Sequence, residues 1–247
     1  MTLSSEAVER FFEQGYLVHE AVFSEDELKP IRACFERLYA RGQELEAKTG
    51  IYEGARFVFE GPVLHRVVWG GALEPELLAM ADDPRIQGPA LQLLGSTQAA
   101  QLLNQCHFKM PGDGVAFAWH QDSQHRKYGT EHWTDVNGRG SFVQTILTVD
   151  PAPLGSGPLE VFPGSGQRGH LALNERELPS DLGEPLSLAA PAGSVLFFGP
   201  YTIHGSQANA TERPRRALIN GFASPGANRF EYPGSGRGRL VPAGAPA

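Results

Sequence analysis

The chain has 247 residues, of which 41% are hydrophobic and 20% charged, and a formal net charge of −7. That length suits one large β-rich domain as well as two small ones, and the composition is that of an ordinary globular protein. An acidic balance with no extended basic stretch argues against nucleic acid as a partner. The absence of any apolar run of about 18 residues argues against a membrane span, and two unpatterned cysteines, Cys34 and Cys106, argue against a disulfide framework.

The first residues, MTLSSEAVERFF, carry neither the basic nor the apolar part of a secretion signal, so a cytoplasmic protein is expected. Ser5 precedes EAVERFFEQG, where Val8, Phe11 and Phe12 predict an amphipathic helix closed by Gly15. A short strand, YLVHEA, follows. Ser24 and Glu27 fit a capping box at the head of SEDELKPIRACFERLYARGQELEAK, with Leu28, Ile31, Phe35 and Leu38 as its apolar stripe. Pro30 falls early in that helix, where it is better tolerated. DPRIQGPALQLLG reads as a third helix with Gly95 as its stop signal. Residues 1–96 are therefore expected to be mostly helical.

From about Ala99 the pattern changes. AAQLLNQCHFKM, GVAFAWHQD, GSFVQTILTVD, GPLEVFPG, EPLSLAA, GSVLFFG, YTIHGS and RRALINGFA are short β-like runs separated by Gly, Pro, Asn and Asp. Strands at this spacing over 97–223 predict a sandwich or barrel. The Gly-, Pro- and Ala-rich stretch 224–247 is expected to be an irregular tail, and the whole of 1–247 to be one domain.

Three features point to a metal. In GVAFAWHQD, read as a strand, His120 and Asp122 lie one pleat apart on the same face and suit a shared ion. The polar end of a strand would look the same. His204 follows a highly apolar strand and a tight turn, so it is either a core histidine or a third ligand. Two histidines and a carboxylate make the facial triad of non-haem Fe(II) oxygenases, which leaves coordination positions open. Arg215 lies eleven residues beyond His204. If YTIHGS and PRRALIN form a hairpin around Asn209 and Ala210, residue 215 falls opposite residue 204 and on the same face. A guanidinium beside a metal with open positions suits a dicarboxylate, chelated at one end and clamped at the other, as 2-oxoglutarate would be. Arg213 lies in the turn and Arg216 faces outward, so both are poorer candidates.

The combined pattern resembles the phytanoyl-CoA dioxygenase family of Fe(II)- and 2-oxoglutarate-dependent oxygenases, which includes ectoine hydroxylase. FFEQGYLVHEAVFSEDELKPIR resembles the family's opening helix, strand and second helix, and FKMPGDGVAFAWHQD the segment with its first two ligands. GPLEVFPGSGQRGH resembles the family's GpL.v.PGSH..G, and PAGSVLFFGPYTIHGSQANATERPRRAL its GD.v.f…HgS..N.s…R. The resemblance implies a mainly β fold, a double-stranded β-helix or cupin-like jelly roll, with the N-terminal helices packed outside. It implies iron ligands at His120, Asp122 and His204, a 2-oxoglutarate arginine at Arg215, and Fe(II), 2-oxoglutarate and O2 as cofactor and co-substrates. By analogy with the ectoine-type pattern, Gln105, Phe117 and Thr145 line the co-substrate pocket; ordinary strand packing is their other reading. The chain departs from the pattern at Gly166, where the family has the histidine of PGSH, and at Ser194, where it has the aspartate of GD. A carboxylate at 122 favours hydroxylation or another oxidation over halogenation, because related halogenases have a small residue there.

Substrate contacts are expected from the loop after Asp122, with Gln124, His125 and Arg126, from Arg56, His65 and Arg66, and from Trp133 in a Gly-rich loop. Each of the polar residues also suits a solvated or structural role. The expected partner is a small polar or secondary metabolite, with no nucleic acid and no membrane, in a monomer or homodimer. Two other readings stand beside this one. A metallo-cupin enzyme without 2-oxoglutarate usually shows His-x-His followed by Glu, a spacing absent here. A non-enzymatic jelly-roll binding module would make the polar cluster structural.

Overall fold

The computed structural model describes residues 2–171, 173 and 178–242. Helix α1 spans Ser5–Gln14 and is capped one residue earlier than expected: the Ser4 hydroxyl accepts from the amide of Ala7, and Gly15 closes the helix at φ 86°. Strand β1 is Tyr16–His19. Helix α2, Glu25–Glu44, begins with the Ser24–Glu27 capping box and buries Leu28, Ile31, Phe35 and Leu38. Pro30 sits in its second turn without ending it.

The part up to residue 96 is less helical than expected. Three antiparallel strands, β2 Gly50–Tyr52, β3 Ala55–Glu60 and β4 Val63–Val68, follow α2. Their β-branched and aromatic residues alternate about the turn at Gly61, which has φ 57°. Helix α3, Pro75–Asp82, precedes α4, Pro84–Leu94, which Gly95 closes at φ 64°.

The larger sheet has the strand order β1-β10-β7-β12-β5-β4-β3-β2. Its later members are β5 Gln98–Lys109, β7 Phe142–Thr148, β10 Val195–Phe198 and β12 Arg215–Ala223. The smaller sheet has the order β6-β11-β8-β9, formed by Phe117–His120, His204–Ser206, Leu159–Val161 and Leu186–Leu188. All the pairings are antiparallel. Ile146, Leu196, Phe198 and Ile219 of the larger sheet pack on Leu159 and Val161 of the smaller one, so the two sheets enclose a common core. This is a jelly roll with helices on the outer face of the larger sheet, where Phe35, Phe57, Phe108 and Phe197 are fully buried.

The tail is not irregular throughout. Strand β13, Arg239–Pro242, joins the larger sheet by pairing with β5, Leu240 opposite Ala100 and Val241 opposite Ala99. Arg239 fixes it further by a two-pronged contact to Asp82, 2.9 and 3.0 Å, and by bonds to Gln101. Deleting residues 239–247 removes these bonds and the fully buried Val241. Burial of one such side chain contributes roughly 1.5–3 kcal/mol, so the truncated protein is expected to lose at least that much stability, read as a lower urea midpoint.

Candidate active site

The site is built on one cross-strand pair. In the smaller sheet β11 lies against β6 with His204 directly opposite His120, and the two rings are 4.2 Å apart between centroids. Asp122 does not continue the strand as expected. It opens a one-turn helix, α5 Asp122–His125, and Gln121 serves as the cap between strand and helix. The carboxylate still turns back to the histidines: one ligand atom from each of His120, Asp122 and His204 lies within 4.8 Å of the others.

Hydrogen bonding prepares both imidazoles. Nδ1 of His120 is 2.7 Å from the carbonyl of Ala118, and Nδ1 of His204 is 2.9 Å from the carbonyl of Thr202. A carbonyl only accepts, so each Nδ1 donates to it, which leaves Nε2 as the nitrogen free to bind a metal. Burial and the neighbouring His120 hold His204 well below the usual imidazole range, which keeps it neutral. Burial pushes the Asp122 carboxyl up. One of its oxygens, Oδ2, is buried without a hydrogen-bond partner among the described residues, and the other is 4.0 Å from Nε2 of His204. Two imidazoles and a carboxylate form a donor set that suits a divalent transition metal. A second cluster, Cys34 with Glu74 and Glu76, does not suit one. Arg37 already binds Glu74 at 2.6 Å, and burial pushes the Cys34 thiol up to about 12.

Arg215 reaches the site by a different route from the expected hairpin. Its strand β12 belongs to the larger sheet, between β5 and β7, with Arg215 opposite Lys109. His204 lies in the smaller sheet. The two residues meet because the sheets face each other: His120, His204, Phe117, Gln144, Ile146 and Arg215 line one cleft. Arg215 is 6% exposed, forms no ion pair with any described residue, and is pulled by burial down to about 10, so it remains charged at neutral pH. Its neighbour Arg216 faces outward as expected and binds both oxygens of Asp150, at 2.7 and 2.9 Å.

The other candidates divide. Phe117 lies in the cleft, stacked on His107 at 4.7 Å. Gln105 bonds to that His107 at 2.9 Å and stands behind it. Thr145 faces the opposite way: its hydroxyl donates to the carbonyl of Asn220 on the helix side of the sheet. Gln144 and Ile146 line the cleft in its place. Gln124 is committed to structure, accepting from the amide of Gln121 and donating to the carbonyl of Leu173. His125 is exposed, with its ring 5.2 Å from that of His120. Arg126 is buried. Trp133 is buried too, stacked on Tyr128 at 4.6 Å and bridged to Asn228 of the tail. His65 and Arg66 bond to one another beside Phe117, while Arg56 is exposed.

Sequence reasoning missed Lys109 and His107, although period two along β5 from Gln105 would have found both. Lys109 is fully buried and donates to Ser206, at 2.7 Å, and to the carbonyls of Gly157 and Gln207. That anchorage needs a bare backbone at Gly157, where a Cβ would fall 2.0 Å from the carbonyl oxygen of Gln207.

The phytanoyl-CoA dioxygenase family profile matches residues 11–217. The chain belongs to the phytanoyl-CoA dioxygenase family. It is 29% identical over 88% of its length to an ectoine dioxygenase of Stutzerimonas stutzeri, covering 76% of that protein. It is 27% identical over 88% of its length to a methylphosphonate hydroxylase of Gimesia maris, covering 79% of it. The crystal structure of the S. alaskensis enzyme EctD with 2-oxoglutarate and 5-hydroxyectoine superposes with a TM-score of 0.72 at 23% identity, over 94% of this chain and 79% of that one. The activity is that of an Fe(II)- and 2-oxoglutarate-dependent dioxygenase. Of the two departures from the family pattern, Ser194 takes over a turn, accepting from the amide of Ala21 and donating to the carbonyl of Pro191. Gly166 sits in a 3-10 turn, Ser165–Arg168, against Thr202.

His120→Ala, Asp122→Ala and His204→Ala should each weaken Co(II) binding at least about 10–100-fold, the loss usual even for groups that only orient a ligand. Glu76→Ala, in the second cluster, should leave it unchanged. The visible absorption of Co(II) during titration of metal-free protein measures both.

Proposed function

We propose that His120, Asp122 and His204 hold the Fe(II), that Arg215 holds the far carboxylate of 2-oxoglutarate, and that the protein hydroxylates an unactivated C–H bond of a small polar metabolite. One observation carries this reading: a buried guanidinium on one sheet, in no ion pair with any described residue, faces a donor set of two histidines and a carboxylate on the other. A metal enzyme without 2-oxoglutarate would leave Arg215 buried and unpaired to no purpose, which is costly.

The iron, when bound, activates O2 for oxidative decarboxylation of 2-oxoglutarate, giving succinate, carbon dioxide and one oxygen atom for the substrate. The chain's own residues position and exclude. The carbonyls of Ala118 and Thr202 hold each imidazole in the tautomer that offers Nε2. Arg215 suits a two-pronged grip on a carboxylate. Ile146, Ile219, Phe198 and Phe117 make the cleft walls apolar, which keeps bulk water from the reacting groups. The relatives' named substrates, ectoine and methylphosphonate, are small and polar, which favours the same class here. Both cysteines are free and buried, as suits a reducing compartment such as the cytoplasm.

Anaerobic protein titrated with Fe(II) and 2-oxoglutarate should develop a weak visible charge-transfer band, and none should appear in the three ligand variants. Arg215→Ala should weaken 2-oxoglutarate binding by about 2–5 kcal/mol, at least roughly thirtyfold. An unchanged 2-oxoglutarate requirement in that variant would remove Arg215 from the reading. A screen of small polar metabolites for the gain of one oxygen with release of succinate identifies the substrate.

A further inference from the structure

Nine buried side-chain nitrogens and oxygens lack a partner among the described residues, and six of them belong to Arg126, Trp133, Gln144, Ser224 and Tyr232. These five residues surround Phe142. The Arg126 guanidinium is 5.8 Å from the Phe142 ring and 4.6 Å from the Tyr232 ring. Trp133 is 6.2 Å from Phe142. The amide of Ser224 donates to the carbonyl of Ser141, next to Phe142. Gln144 lies two residues further along β7, on the same face, and lines the cleft with His120 and His204.

Arg126 is 7% exposed; its Nε and Nη1 are among the unpartnered atoms, and it forms no ion pair with any described residue. The Tyr232 hydroxyl is within hydrogen-bond reach of this guanidinium and the Asp122 carboxylate attracts it, but no carboxylate among the described residues pairs with it directly. Five of the six atoms can donate; the sixth, Gln144 Oε1, is an acceptor and belongs to the residue that lines the cleft. Two guanidinium N–H groups and the indole N–H can only donate, and two hydroxyls can donate as well. The complement of such a set is an anionic acceptor, and the planar fork of arginine fits a carboxylate.

We infer that the cluster of donors around Arg126 is a second acid-binding site, which takes the carboxylate of the substrate. The inner face of β7 separates it from Arg215. Arg215 stands past the Thr148 end of that face, since Ala217 pairs with Thr148, and Arg126 stands at the Phe142 end. Gln144 and Ile146 lie between them, in the cleft that holds His120 and His204. An acid gripped by Arg126 therefore approaches the metal-binding residues from the side opposite to an acid gripped by Arg215, and the two do not compete.

The inference rests on the iron and 2-oxoglutarate reading, and its test separates the two. Protein loaded anaerobically with Fe(II) and saturating 2-oxoglutarate is titrated with propionate and, in parallel, with neutral propionamide, while the thermal midpoint is followed. Propionate is expected to raise the midpoint saturably and propionamide to leave it unchanged. Arg126→Met should abolish the propionate response and bind 2-oxoglutarate within twofold of the unaltered protein. Arg126→Lys, which keeps the charge but not the fork, should need at least tenfold more propionate. The inference is overturned if the two probes act alike on the unaltered protein, or if Arg126→Met still responds to propionate. It is also overturned if Arg126→Met loses 2-oxoglutarate, which would assign this guanidinium to the co-substrate. Failure of the unaltered protein to bind 2-oxoglutarate would instead overturn the co-substrate reading, and the two probes can then be compared on the protein with Fe(II) alone.

Discussion

The antiparallel pairing of β11 with β6 is the constraint on which the site depends. It sets His204 opposite His120, although 84 positions separate them in the chain. A register slip of one residue would turn His204 to the other face. The pairing is held from several sides. Val161 of β8 lies against His204 from the far edge, Lys109 ties Ser206 to the larger sheet, and the Ser165 hydroxyl accepts the amide of Ile203. Asp122 then needs only the short helix after β6 to bring its carboxylate round. The capping of that helix by Gln121 and Gln124 fixes where it begins.

The two faces of the larger sheet follow opposite electrostatic rules. On the outer face charges are matched: Arg216 binds Asp150, which also lies 3.5 Å from Arg32, and Arg32 binds Glu25. On the inner face Arg215 and Arg126 are buried and form no ion pair with any described residue. Arg215 and Arg216 are neighbours in the chain, and the period of two alone sends one to a partner and the other to a cleft. Burial of unmatched charge works against stability, and its concentration around one donor set is the pattern expected where a protein gives up stability for binding.

The C-terminal segment belongs to this arrangement. Through β13 it completes the sheet beside β5, and Tyr232 lies over Arg126 while Phe230 lies against Lys127 and His132. The loop after Asp122 is therefore packed between the barrel and the tail, and the cluster around Arg126 takes one of its members, Tyr232, from that tail.

Local sequence determined much of this protein. The capping box at Ser24, the glycine stops at 15 and 95, the strand runs after Ala99 and the His-x-Asp segment were legible because each depends on neighbours a few residues away. The family pattern extended that legibility to His204 and Arg215. The errors share one cause. Local pattern pairs Arg215 with His204 in a hairpin, turns Thr145 rather than Gln144 into the cleft, and shows no strand in 224–247. Gly- and Pro-rich composition hides a short edge strand whose hydrogen bonds go to residues 98–101. Which strand pairs with which, and so which face of each strand meets the cleft, is settled by how two sheets pack over one core. The sequence by itself determined the chemical groups of the site and the two segments that carry the histidines; only the tertiary structure decided that Arg215 faces them from the other sheet and that Arg126 is enclosed without an ion-pair partner among the described residues, because partnership and burial are properties of residues distant in the chain.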